Sequence, residues 1–296
     1  MRPTRSLLAD PAWLDKQYDN RALVPGHPRI FESWAQASAL ARERSRCLLD
    51  VPYLASAAEG DGGLLDVFPA EETAAGPAPV LVFIHGGYWR SLDKSQFSFV
   101  APAFVAQGAM VVVPNYALAP AVSIEHITLQ MAAAVVWAWR HAAEHGGDPS
   151  RIALVGHSAG GHGAAMLLSC RWKELEPAMP TAPVAGALSI SGLYDLEPLR
   201  HVPRLQADLK LTPASVTRLS PAFFARPKGA KLFTTVGSEE SDEFLRHNRL
   251  IRDQWGPSSV PVCETVPGKN HFDILESLAD PHGRLHQLAL RLLGLR

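Results

Sequence analysis

Three observations predict an α/β chain built on an open, mostly parallel sheet with helices on both faces. From residue 76 onward, strand-like and helix-like stretches alternate. The runs Val80–Ile84 and Ala109–Val113 lack polar alternation, as expected of strands covered on both faces. Strand–helix–strand repeats of this kind imply right-handed crossovers within one sheet. Third, Gly156-His157-Ser158-Ala159-Gly160 sits between the apolar run Ile152–Val155 and an Ala/Leu-rich helical pattern. That is a G-x-S-x-G pentapeptide in the strand–turn–helix setting that throws a serine out of a sheet.

The elements follow in order. Residues 1–48 are polar and helix-prone, carry Trp13, Tyr18 and Trp34, and show no strand alternation. Val51–Ser56 and Leu64–Phe68 read as strands joined by the turn-rich Glu59-Gly60-Asp61-Gly62-Gly63. The strands Val80–Ile84, Ala109–Val113, Arg151–Val155, Val184–Ile190, Lys231–Val236 and Val260–Val266 come next. Helical patterns lie at Lys94–Gln107, Ile124–His145, Ala159–Arg171 and Asp242–Trp255, the last stopped by Gly256-Pro257. A final helix spans Pro281–Leu293. Residues 195–228 break the rhythm with five prolines and little periodicity, which predicts an excursion over the carboxyl edge of the sheet, where ligands bind. The expected organisation is one domain over 1–296, with a helical extension at 1–48 and a lid-like insertion at 195–228.

Composition narrows the function. With 28 basic and 29 acidic residues, the 296-residue chain has a net charge of −1 and no block of like charge. A nucleic-acid or anionic-membrane surface is therefore not expected. The N-terminus lacks the apolar core of a signal peptide, and the longest apolar run, Met131–Trp139, is too short for a membrane span. Cys47, Cys170 and Cys263 are widely spaced and odd in number, which fits a reduced, cytoplasmic protein.

Ser158 is the candidate nucleophile. A serine hydroxyl needs a base to take its proton and a third group to orient that base. On a sheet of this kind the acid follows the nucleophile in sequence and precedes the base. His271 lies in the turn-rich Pro267–Phe272 loop past the last strand, which can hold an imidazole over the sheet edge. His282 and His286 share a face of the terminal helix, and His247 falls inside a helix. The acid is expected past Lys231–Val236, where Glu239, Glu240, Asp242 and Glu243 cluster. Asp242 and Glu243 read as first-turn helix acids after a Ser241 cap, favoured there by the helix dipole. Glu239 and Glu240 remain, and local sequence does not separate them.

An oxyanion needs backbone N–H donors aimed at it. His85-Gly86-Gly87-Tyr88-Trp89 directly follows a strand. The N–H groups of Gly87 and Tyr88, with that of Ala159, would complete such a hole, and Tyr88 and Trp89 would wall the substrate site.

These motifs resemble the α/β-hydrolase superfamily, and within it the hormone-sensitive-lipase-like esterases. The similarity rests on His85-Gly86-Gly87, on Asn115–Pro120 and on Gly147–Ile152 before the elbow. A closer resemblance is to the kynurenine formamidase (arylformamidase) family, which carries HGGYW and a histidine matched here by His162. Gln17-Tyr18, Ser241-Asp242-Glu243-Phe244 and His271-Phe272 match that family too, and the similarity runs from about residue 13 to 277. The family's acid directly precedes the serine of the S-x-E-F pattern, which implies Glu240. The usual acid there is Asp, so Glu240 is a departure; glutamate fills the same orienting role on this fold.

The resemblance implies a serine hydrolase that cleaves a small acyl amide or ester, without cofactor or metal. N-formyl-kynurenine is the sharper substrate expectation and a short acyl ester the alternative. A homodimer is left open. Two other classes compete: His141-Ala142-Ala143-Glu144-His145 fits an inverted zinc-peptidase motif, and the fold also hosts non-catalytic binding modules. The motif closes a long helix, where histidines suit the dipole without metal. A binding module would have lost one of the three catalytic residues.

Overall fold

The computed structural model describes residues 10–55, 62–70 and 76–295. Its eight strands are β1 (Leu48–Pro52), β2 (Leu64–Phe68), β3 (Ala78–Ile84), β4 (Met110–Pro114), β5 (Gly147–His157), β6 (Val184–Ile190), β7 (Lys231–Gly237) and β8 (Val262–Val266). They form one sheet in the order β1-β2-β4-β3-β5-β6-β7-β8. β2 runs antiparallel to both its neighbours, and β3 through β8 pair in parallel. This is the α/β-hydrolase fold.

The helices cover both faces. Before the sheet come α1 (Pro11–Gln17), α2 (Asn20–Leu23) and α3 (His27–Arg44). Then follow α4 (Ala101–Ala106), α5 (Ile124–His141), α6 (Ala159–Leu167), α7 (Trp172–Leu175), α8 (Pro203–Leu209) and α9 (Pro213–Leu219). Last are α10 (Asp242–Trp255), α11 (Glu276–Ala279) and α12 (Arg284–Leu293). Side chains alternate across a strand, so β3 sends Val80, Val82 and Ile84 to one core and Leu81 and Phe83 to the other. The first core is closed by α5 and α6 through residues such as Ile127, Met131 and Ala164. The second is closed by Phe104 and by Leu285, Leu288 and Ala289 of α12.

Several boundaries differ from the sequence expectation for identifiable reasons. β1 begins at Leu48 rather than Val51, because Asp50, at φ 56°, sits in a register shift that hides the alternation. Ser56 and residues 59–61 of the expected connecting turn lie outside the described residues. The helix expected over Lys94–Gln107 is two 3-10 turns followed by α4. Pro102 stands in the first turn of α4, where its missing N–H costs nothing; in a continuous helix it would break the ladder.

Residues 195–228, read as irregular, contain α8 and α9. Both begin at prolines and run only seven residues, too short for a period to show. A Thr212–Ser215 capping box starts α9. The segment is seated by fully buried Leu196, Leu199, Val202 and Leu205.

Candidate active site

β5 delivers Ser158 at a turn that only glycine-flanked backbone can make. Ser158 has φ 57° and ψ −116°, a strained conformation, and its N–H donates to the Ile190 carbonyl at 2.8 Å. A Cβ on Gly156 would stand 2.1 Å from the Gly160 carbonyl oxygen, and one on Gly160 only 2.0 Å from that of Ile84. The elbow therefore holds because those two positions carry no side chain. It leaves Ser158 next to the sheet edge, with only 1% of its surface exposed.

His271 comes from the loop after β8. Asn270 Oδ1 accepts the N–H groups of Phe272 and Asp273, and Asp273 Oδ1 accepts that of Asn270. This reciprocal turn fixes the loop. His157 secures it further, donating from Nε2 to the His271 carbonyl at 2.8 Å. Burial, and then the nearby His271 imidazole, push the His157 pKa well below its ordinary value, so that ring stays neutral and serves as a strut.

His271 meets both Ser158 and Glu240. His271 Nε2 lies 3.1 Å from Ser158 Oγ, and Nδ1 donates to Glu240 Oε2 at 2.6 Å. The other carboxylate oxygen of Glu240 accepts from Ser191 Oγ at 2.5 Å and from the Gly237 N–H at 2.8 Å. Glu239 is exposed; its N–H pairs with the Lys269 carbonyl, which turns its side chain outward. Asp242 is exposed in the first turn of α10, as expected. Glu243 also stands in that first turn, as expected, but it is fully buried and held by Arg246 and Tyr18.

The loop after β3 is shaped by left-handed backbone at Gly87 (φ 115°), Tyr88 (φ 50°) and Trp89 (φ 57°). Its base is clamped: Tyr116 Oη donates to the carbonyls of His85 and Gly86, while the His85 ring stacks between Phe97 and Tyr116. Burial lowers the His85 pKa. Ala159 is the first residue of α6, so its N–H has no acceptor within the helix.

Trp89, expected on the substrate wall, lies behind it instead. Two successive left-handed residues swing its ring into the core, where it meets His162 edge-on at 5.0 Å. His162 donates from Nε2 to the Leu219 carbonyl at 2.8 Å, and burial lowers its pKa to about 4. His141 and His145 both stack on Trp137, and His141 Nδ1 bonds Glu144. Among the described residues, no three His, Cys, Asp or Glu side chains come together as a metal site.

Above Ser158 and His271 opens a cavity of about 300 Å³. One wall is aromatic, from Phe31, Trp34, Phe272 and Tyr88. The other carries both signs of charge, from Arg21, Arg90 and Arg204 with Asp19 and Asp208. Arg90 bridges Asp208 at 2.5 Å, and Arg204 bonds Asp15 at 2.8 Å. Sequence reasoning missed this wall, Ser191 and Tyr116; only Tyr116 had a signal, its adjacency to the predicted loop across a strand pair.

An eight-stranded sheet of this order, with an elbow serine at the end of β5, defines an α/β-hydrolase. A BD-FAE family model matches residues 65–209. The chain is 30% identical to kynurenine formamidase of Danio rerio over 260 residues, covering 86% of this chain and 84% of that one. It is 31% identical to kynurenine formamidase of Salmo salar, with the same coverage. The chain belongs to the kynurenine formamidase family. A solved structure from Silicibacter sp. TM1040 superposes with a TM-score of 0.79 at 32% identity, covering 92% of this chain and 97% of that one. An esterase of Pyrobaculum calidifontis shares the fold at a TM-score of 0.67 and 17% identity, covering 99% of each chain.

Proposed function

We propose that the chain is a serine hydrolase that cleaves a small aryl formamide, of the N-formyl-kynurenine kind, through an acyl-enzyme. The observation that carries this reading is the continuous relay from Ser158 Oγ through His271 to Glu240, 3.1 Å and 2.6 Å, at the floor of a small aromatic cavity. Ser158 attacks the acyl carbon as His271 Nε2 takes its proton. Collapse of the tetrahedral intermediate expels the amine, which His271 protonates. Water then adds to the acyl carbon as His271 takes its proton, and the second collapse breaks the bond to Ser158 Oγ, which His271 reprotonates as the acid leaves. Glu240 keeps Nδ1 protonated and stabilises the imidazolium. The N–H groups of Gly87, Tyr88 and Ala159 receive the oxyanion, each such donor contributing about 3 kcal/mol in the transition state.

The cavity supports the substrate class. Its aromatic wall suits an aryl leaving group, and the mixed Arg/Asp wall suits a head group bearing both charges. Its volume of about 300 Å³ suits a short acyl group. A second reading, a carboxylesterase on short acyl esters, is supported by the 33% identity over 155 residues to esterase LipQ of Mycobacterium tuberculosis. The three unpaired cysteines support a cytoplasmic setting.

Kinetics on N-formyl-kynurenine beside formyl, acetyl and octanoyl aryl esters test the reading. Formyl and acetyl substrates are expected to exceed the octanoyl ester in kcat/KM, with N-formyl-kynurenine the best. Faster turnover of the octanoyl ester would point to a lipase-like cleft instead.

A further inference from the structure

Several ionisable groups near the site take no part in the hydrolysis just described: the buried Tyr18, Glu243 and His247, and the part-buried Arg246. Tyr18 closes α1 and is fully buried. Its carbonyl accepts from Tyr88 Oη at 2.8 Å, and Asn20 Nδ2 donates to that same hydroxyl at 3.3 Å. Tyr88 is the residue whose strained, left-handed backbone offers an oxyanion donor. One end of Tyr18 thus holds the loop that receives the oxyanion.

Its other end reaches the acid side. Tyr18 Oη donates to Glu243 Oε2 at 2.7 Å. His247 Nδ1 accepts the Tyr194 N–H at 3.1 Å, so Nε2 carries the proton and donates to Tyr18 Oη at 3.0 Å. Arg246 holds both carboxylate oxygens of Glu243 and bridges to Asp195. Gln17 Oε1 accepts the Glu243 N–H at 3.3 Å. All of this fixes the first turn of α10, which begins two residues after Glu240. Phe244, in that turn, packs on the His271 ring at 4.5 Å and meets Tyr18 edge-on at 6.0 Å.

We propose that Tyr18 is a positioning residue that sets the oxyanion loop and the acid–base pair relative to one another. Both halves of the catalytic machinery come from loops, on strands two places or more apart in the sheet. A single buried residue, fastened by its backbone carbonyl to one and by its side chain to the other, fixes their separation, which α/β packing alone leaves to loop geometry. The inference rests on the assignment of Tyr88 and Glu240 made above.

The test compares Tyr18→Phe, Tyr88→Phe and Ser158→Ala on a short aryl ester. Tyr18→Phe leaves the carbonyl bond to Tyr88 but frees Glu243 and His247. The charged and titratable groups facing His271 are Glu240 and His157. Loosening Glu240 stabilises the imidazolium less, so the acid limb of kcat/KM should move to lower pH, with kcat down about tenfold and KM within twofold. Tyr88→Phe should lower kcat by a similar factor with the limb unmoved. A merely structural role would lower Tm in both and leave kcat and the limb where they were, which overturns the proposal. If Tyr18→Phe does not fold, Tyr88→Phe decides: an unchanged kcat refutes it. Ser158→Ala guards the underlying reading, because residual wild-type activity there would sink the serine mechanism rather than the role of Tyr18.

Discussion

Ser191 Oγ donates to Glu240 Oε1 at 2.5 Å, leaving Oε2 to accept the hydrogen bond from His271 Nδ1. Ser191, the residue after β6, has φ 52°, so one strained residue aims a hydroxyl at Glu240 on the next strand's loop. Ser191→Ala is expected to lower kcat several-fold at unchanged KM, since a buried carboxylate loses about 1.5–3 kcal/mol of charge-assisted bonding. Steady-state kinetics check this; a wild-type kcat would show that the Gly237 N–H alone holds the acid.

Glu240→Gln removes the charge while nearly preserving shape. In a related triad, neutralising the orienting acid costs roughly 10⁴-fold in kcat. A large drop, somewhat smaller than that, is expected here. Glu239→Gln and Asp242→Asn, both exposed, should change kcat by no more than a few-fold. Glu240→Asp should keep partial activity, its charge intact and its reach one methylene shorter. Collapse of either control with Glu240→Gln near wild type would move the acid.

How far the sequence revealed this site depends on what each residue needed. The placement of Ser158 and His271 was legible because it follows from chain-local features, a glycine-flanked turn and a loop past the last strand. Glu239 and Glu240 are neighbours, and what separates them is the Glu239 N–H pairing with Lys269 on another loop. No local pattern encodes that. Trp89 was misplaced because its direction depends on two left-handed residues in succession, which neither Tyr nor Trp advertises. Glu243 was legible as a first-turn helix acid but its burial was not, because its partner Tyr18 lies 225 residues away in sequence. The sheet was read almost in full, since burial on both faces is written into composition; the seven-residue helices α8 and α9 were not.

Gly160→Ala should fail at the elbow. Its Cβ would lie 2.0 Å from the Ile84 carbonyl oxygen, backbone against backbone, so β3 and α6 must part. A loss of about 3 kcal/mol in urea unfolding is expected, with activity lost as well. Native stability in that variant would mean the helix can shift without cost.

Stability should fall with acid through buried histidines. Burial lowers the His162 pKa from 6.5 to about 4, so the unfolded chain binds its proton first as pH falls. The contribution is complete above pH 6.5 and is lost progressively between pH 6.5 and about 4, at up to about 1.4 kcal/mol per pH unit. His162→Gln, which keeps a donor for Leu219 but cannot titrate, should flatten the decline of ΔG over that window. An unchanged slope would assign the acid sensitivity to His157 and His247 instead.

Arg204 tests the charged wall. Arg204→Leu should cut the ratio of kcat/KM for N-formyl-kynurenine over uncharged formanilide about tenfold, the loss of one charge-assisted contact. An unaltered ratio would leave the Arg/Asp wall a structural feature.

The most direct test of the central claim is covalent. After brief mixing with a fluorophosphonate, intact-protein and peptide mass spectrometry should find one adduct, on Ser158, with hydrolysis of N-formyl-kynurenine and of aryl esters lost in step with its formation. Full hydrolysis by a chain quantitatively labelled at Ser158, or by Ser158→Ala, would contradict the account.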